Sequence, residues 1–175
     1  MSDDFAHRLP LNQIRDGERI DLSADEGERG RIAERLGLPA LDCMNAHAAL
    51  DVKGEIVRVR GRLKASLSQS CVVTGDPVEA HIDEPFDIYF LPEPTQSTPD
   101  EEVELAESDC DVVFHDGATI DLGEAIADTL ALSLDPYPRS AGAEATLKEA
   151  GVLTEEQAGP FAALAKLKRS DSDQP

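Results

Sequence analysis

The sequence predicts an α+β protein with a curved or barrel-like antiparallel sheet, two main helices, a flexible acidic loop and a C-terminal tail helix. Three observations carry this. Two long stretches on either side of a Thr-Gly-Asp-Pro turn alternate apolar and polar residues, as half-buried strands do. Two segments open on helix-capping signals followed by apolar residues at helical spacing. Between residues 65 and 138 basic residues disappear altogether. The 175 residues are expected to form one domain over 1–140, with a mobile acidic loop at 92–109, and a flexible tail over 141–175 carrying a short helix at 160–168.

In chain order, FAHRLPLNQI (5–14) reads as a short edge strand, because Pro10 cannot donate to a central ladder. Ser23 then opens a helix as N-cap with Glu26 at N3, and Ile32, Ala33 and Leu36 form its apolar stripe before Gly37 and Pro39 stop it. HAALDVK (47–53) and IVRVRGRLKASLSQSCVV (56–73) are the next strands, joined at Gly54. In the second, Val57, Val59, Leu63, Ala65, Leu67, Cys71 and Val73 share one face, and Arg58, Arg60, Arg62, Lys64 and three serines the other. The returning strand alternates in the same sense, with Val78, Ala80, Ile82, Phe86, Ile88 and Phe90 on the apolar side. A two-residue turn at Gly75-Asp76 would place Cys71 opposite Ala80, Leu63 opposite Ile88 and Lys64 opposite Asp87.

PEPTQSTPDEEVELAESD is rich in Pro, Ser, Thr and acid, which predicts the mobile loop. CDVVFHDG resumes as a strand and turn. Asp121, with Glu124 at N3, caps a helix whose buried stripe is Leu122, Ala125, Ile126, Thr129 and Leu130, ended by Asp135-Pro136. DPYPRS is extended, and its Tyr137 and Arg139 are candidate partner-binding residues. A weak helix follows near Glu144–Ala150, and GPFAALAKLKR closes the tail with Pro160 at N1 and Phe161 and Leu164 on one face.

Charge narrows the function. Residues 1–64 hold 11 Lys/Arg and 12 Asp/Glu, residues 139–175 hold 5 and 6, and residues 65–138 hold none against 18. That middle segment repels phosphate backbones, which excludes it from direct nucleic-acid binding. It is either a solvated acidic loop or a docking surface for a basic protein, with Asp100, Glu101, Glu102 and Glu104 its densest run. Arg58, Arg60, Arg62 and Lys64 align about 7 Å apart along one strand face. They either pair across the sheet, as Lys64 would with Asp87, or touch RNA phosphates or an acidic partner. The tail helix either docks on its own domain or folds into a partner's groove through Phe161 and Leu164.

Catalytic and metal signals are lacking. His7, His47, His81 and His115 show no ligand spacing, Glu124 and Asp128 stand on the wet face of a helix without a third ligand, and no phosphate loop, nucleophile elbow or HExxH occurs. Neither cofactor nor metal is expected. Cys43, Cys71 and Cys110 are odd in number and widely spaced, which suits a reducing cytoplasm. Cys71 reads as a small buried hydrophobe, since Thr74 stands where Cys-x-x-Cys would need its second ligand and no basic neighbour activates the thiol. The longest apolar candidate, LGEAIADTLALSL, is broken by Glu124 and Asp128, so no membrane span is expected.

Taken in order, GRLKASLSQSCVVTGDPVEAHIDEPFDIYFLP, the acidic loop, DGATIDLGEAIADTLALSLDPYPR and PFAALAKLK resemble the YceD family, the large ribosomal RNA subunit accumulation proteins. The resemblance implies a non-enzymatic cytoplasmic factor of bacteria and plastids that supports accumulation of large-subunit (23S) ribosomal RNA, in many bacteria encoded beside a small zinc-ribbon protein of that subunit. Many relatives carry Cys-x-x-Cys at the hairpin, and some have further Cys or His after the second helix. Here Thr74 and DPYPRS supply neither, so a metal role in those relatives does not carry over. Ribosomal proteins are strongly basic. The acidic segment together with the resemblance therefore points to a basic ribosomal protein or a large-subunit assembly intermediate as partner, with direct RNA contact through the arginine stripe as the alternative.

Overall fold

A computed structural model of the chain describes residues 4–93 and 111–152. Its centre is a long antiparallel hairpin of β4 (Ile56–Ser70) and β5 (Pro77–Pro92). Val57, Val59, Leu63, Ala65 and Leu67 are buried on one face of β4 and Phe86, Ile88 and Phe90 on the same face of β5. Both alternations therefore select the faces expected of them. The register differs. Leu63 lies opposite Glu84, Lys64 opposite Asp83 and Val59 opposite Ile88, a shift of four residues from the two-residue turn. A shift of four is even and leaves every side chain on its own face, so alternation cannot detect it. The observed register sets Arg60 against Asp87 as well as Lys64 against Asp83. Cys71 is accordingly outside the ladder, in a connection closed by Cys71 N–H to the Asp76 carbonyl at 2.8 Å and Gly75 N–H to the Cys71 carbonyl at 2.9 Å.

β3 (Ala40–Lys53) runs along the other edge of β4, from Ala40 opposite Ser68 to Lys53 opposite Ile56, with an irregularity between Leu41 and Cys43. β2 (Glu18–Ser23) pairs with β3, and β6 (Val112–His115) lies parallel to β5, giving the order β2-β3-β4-β5-β6. The sheet is thus open, and the expected curved or barrel-like antiparallel sheet is corrected on both counts: β2 and β6 do not pair with each other, and β6 is parallel. Closure would require those two edges to meet. Instead the core face is covered by helices and by a separate two-stranded ribbon, while the opposite face stays wet.

The covering layer explains the remaining differences. Ser23 is drawn into β2 opposite Asn45, so α1 (Glu26–Leu36) takes Asp25 as its N-cap, in a capping box with Glu28 rather than the Ser23–Glu26 pair. The stretch SADEGE holds both boxes, and strand pairing decides between them. α1 packs Ile32 against β3. α2 (Leu122–Ser133) begins at Asp121 as expected and buries Leu122, Ala125, Ile126, Ala127 and Leu130 against β4 and β5. The N-terminal strand shortens to β1 (Arg8–Pro10) and pairs with β7 (Thr119–Asp121) instead of joining the main sheet. Phe5–His7 crosses the first turn of α2 so closely that a Cβ on Gly123 would strike the Phe5 carbonyl, and Leu122 N–H donates to His7 at 3.0 Å. A third helix, α3 (Ala143–Glu149), buries Ala143.

Gly61 interrupts the apolar face of β4 because the Phe86 ring and the His47 carbonyl occupy the space a side chain would need. Gly61→Ala should lower stability by about 1–3 kcal/mol. Gly30→Ala, in α1 with no atom within 4 Å of the new methyl, should raise it by about 0.5–1 kcal/mol. Urea midpoints of the two variants, displaced in opposite directions from the wild type, are the check.

Candidate partner-binding surface

The wet face of the sheet carries the four aligned cations. Arg58 Nε donates to Asp87 Oδ1 at 2.8 Å, and its guanidinium stacks 5.0 Å from the centre of the Tyr89 ring. Arg60 reaches Asp51 at 2.6 Å, Arg62 donates to Asp83, and Lys64 stands 3.9 Å from the other Asp83 oxygen. The expected Lys64–Asp87 pair is replaced by Lys64–Asp83, a consequence of the four-residue shift. Hydrogen bonds from Arg62 and Arg58 hold Asp83 and Asp87 below the usual carboxylate range, and those carboxylates raise both guanidiniums. The stripe is a diagonal lattice of ion pairs. Its members are half exposed, so each pair is weak, but every cation already has an anion in reach.

At the end of this hairpin Cys71 is 3% exposed, as its reading as a buried residue requires, but its surroundings are polar. Sγ accepts hydrogen bonds from the backbone N–H of Thr74 at 3.4 Å and of Ser140 at 3.3 Å. Thr74 Oγ1 and Ser140 Oγ are 3.1 Å apart, Val72 N–H donates to the Pro138 carbonyl at 2.9 Å, and Gln69 Nε2 donates to the Asp135 carbonyl at 2.8 Å. The segment DPYPRS is thereby strapped across the hairpin loop, with Pro138 buried between exposed Tyr137 and Arg139. Hydrogen bonds from Ser140 and Thr74 push the thiol down to about 6. The sequence sets no basic residue beside Cys71, and backbone donors from a distant segment leave no trace in composition. Asp100, Glu101, Glu102, Glu104, Phe161, Leu164 and the tail helix at 160–168 lie outside the described residues, as does the acidic loop beyond Glu93.

A groove between β6 and α2 had no signal in the sequence, because it forms only once β6 docks in parallel. Two depressions of about 420 and 190 Å³ share Val113, Ala125 and Asp128. Among the described residues no three His, Cys, Asp or Glu side chains gather as a metal-binding group, and no helix is long and apolar enough to cross a membrane.

The fold and its surface define an acidic, open-faced α+β protein with its cationic stripe paired across the sheet. Residues 59–168, more than half of the chain, match the family described as large ribosomal RNA subunit accumulation protein YceD. The chain belongs to that family, whose members are non-catalytic factors associated with ribosome biogenesis. No curated protein and no solved structure matches it.

The thiol offers a measurement. Its folded value, about 6, lies below the ordinary 9.0, so its contribution to stability is complete above pH 9 and is lost as pH falls through 6. Thiolate absorbance at 240 nm should titrate near pH 6 in the folded protein and near pH 9 in denaturant. The stability gap between wild type and Cys71→Ala should be wider at pH 9 than at pH 5. A folded-state midpoint near 9 would remove the two N–H bonds from the account.

Proposed function

We propose that the chain supports accumulation of large-subunit (23S) ribosomal RNA in the cytoplasm by binding a basic ribosomal protein or a pre-ribosomal particle containing one. The observation that carries this reading is the separation of charge: 18 Asp/Glu and no Lys or Arg over residues 65–138. A field of that sign attracts cationic protein and repels RNA. The pairing of Arg58, Arg60, Arg62 and Lys64 with Asp51, Asp83 and Asp87 supports the same reading, because phosphate contact would first have to break those pairs.

Affinity capture with and without nuclease tests it. Ribosomal proteins should remain bound after RNA is digested, and replacing Asp100, Glu101, Glu102 and Glu104 by Ser should weaken their retention without changing the thermal midpoint. Capture that vanishes with nuclease, or that depends on the arginines alone, would favour direct RNA contact. Phe161 and Leu164 are proposed as the tail's anchors on the partner. Phe161→Ala with Leu164→Ala should leave the midpoint within about 1 °C, as substitutions outside a core do, yet abolish capture and fail to restore 23S RNA in a deletion strain. A midpoint lowered by several degrees with capture intact would place that segment in the protein's own core.

A further inference from the structure

We propose that the groove between β6 and α2 is the docking site for an extended basic segment of the protein partner, which adds to β6 as a sixth strand. This rests on the basic-partner reading above and names the surface and the mode of contact.

The backbone of β6 is prepared for it. Tyr89 N–H donates to the Asp111 carbonyl at 2.8 Å and Glu93 N–H to the His115 carbonyl at 3.0 Å, so residues 111 and 115 point their polar groups at β5. By the alternation of a parallel ladder, the N–H and C=O groups of Val112 and Phe114 point the other way, and β6 has no strand on that side among the described residues. Edge strands are commonly guarded by Lys, Pro or a bulge, and VVFH has none of these. Instead it exposes apolar side chains on both faces. Val113, level with the buried Phe90, faces the helix side and is 39% exposed, while Phe114, level with Leu91, is 56% exposed on the outer face. Leu132 of α2, 81% exposed, extends the apolar floor.

Charge identifies the occupant. Of the carboxylates lining the groove, Asp121 pairs with Arg8 at 3.4 Å and Asp128 with Arg35 at 3.3 Å. Among the described residues Glu93, Asp111 and Glu124 line it with no ion pair of their own, and Asp116, which also lines it, accepts from the Ala118 and Thr119 N–H groups. An anionic rim around an apolar floor and an unfilled strand edge suits a segment in which cations alternate with apolar residues: its main chain pairs with Val112 and Phe114, its apolar residues meet Val113 and Leu132, and its cations meet the rim. Four residues of β6 span about 13 Å, enough for four or five residues of partner. RNA meets only repulsion here.

The probe is the heptapeptide Lys-Val-Lys-Val-Lys-Val-Lys, titrated against the full chain with amide exchange read by NMR. Binding should slow exchange at Val112 and Phe114 by about tenfold or more, and a peptide of the same sequence N-methylated at alternate residues, with equal charge but no strand-pairing face, should not. The variant Glu93→Gln/Asp111→Asn/Glu124→Gln, whose changes lie on the surface, should weaken binding about tenfold. If both peptides bind alike and the two amides are unaffected, the groove is overturned while a basic partner stands. If neither peptide nor any basic ribosomal protein binds, both readings fall. Amides already protected in the free chain, and released by deleting residues 153–175, would show the groove filled by the protein's own tail and overturn the proposal.

Discussion

Burial of one face of β4, with both of its edges satisfied, is the constraint on which the other elements depend. Every second residue from Val57 to Leu67 is buried except Gly61, where the Phe86 ring takes the missing side chain's place. Because β3 and β5 pair along nearly its whole length, β4 cannot slip without moving both neighbours. A slip by one residue would bury a row of Arg and Lys, whereas a slip by two against β5 keeps every face and in one direction sets Arg58 directly opposite Asp87 and Arg62 opposite Asp83. Hydrophobic burial therefore sets the face, and the two continuous ladders to β3 and β5 hold the position along it. The helices follow: α1 against β3 and α2 against β4 and β5 cover the single apolar face that this strand creates.

Local chemistry was the legible part. Asp121 and the stripe from Leu122 to Leu130 define α2 because cap and period lie within one short stretch of chain. Where two local solutions compete, as in SADEGE, the outcome turns on whether Ser23 is needed by β2, which is a property of the partner strand. ERIDLS carries too weak a signal to be read as a strand, because only Ile20 and Leu22 mark its alternation. Sheet closure and the parallel direction of β6 depend on which edges meet in space, and no periodicity encodes that. The histidines show the same limit. His115 is without motif, yet it is 5% exposed, its Nδ1 accepting from Gly117 N–H and its Nε2 donating to the Glu55 carbonyl at 2.9 Å, which ties β6 to the turn between β3 and β4.

The surface divides along the same line. On the wet face, cations and anions from three strands lock one another in place, leaving little free charge to offer a partner. At the β6 edge, carboxylates outnumber cations and the backbone is open on one side. Basic proteins and nucleic-acid backbones carry opposite charge. A molecule with one electrically quiet face and one strongly negative edge can discriminate between them by sign before any side-chain detail is read.

The crossing of Phe5–His7 over Gly123, together with the β3–β4 ladder, makes the folded unit larger than the span that the family match covers. The family match covers residues 59–168, a span that opens at the fourth residue of β4. Yet Leu22, Ile32, Met44, Ala46 and Leu50, all from the preceding stretch, are part of the same core cluster. Cut at residue 59, the remainder would keep its most recognisable features and lose one whole flank of its central strand, the lid over one end of the sheet and the chain that seats the start of α2. The core is thus completed from outside the matched span, by strands, a helix and a close backbone crossing that the preceding stretch supplies.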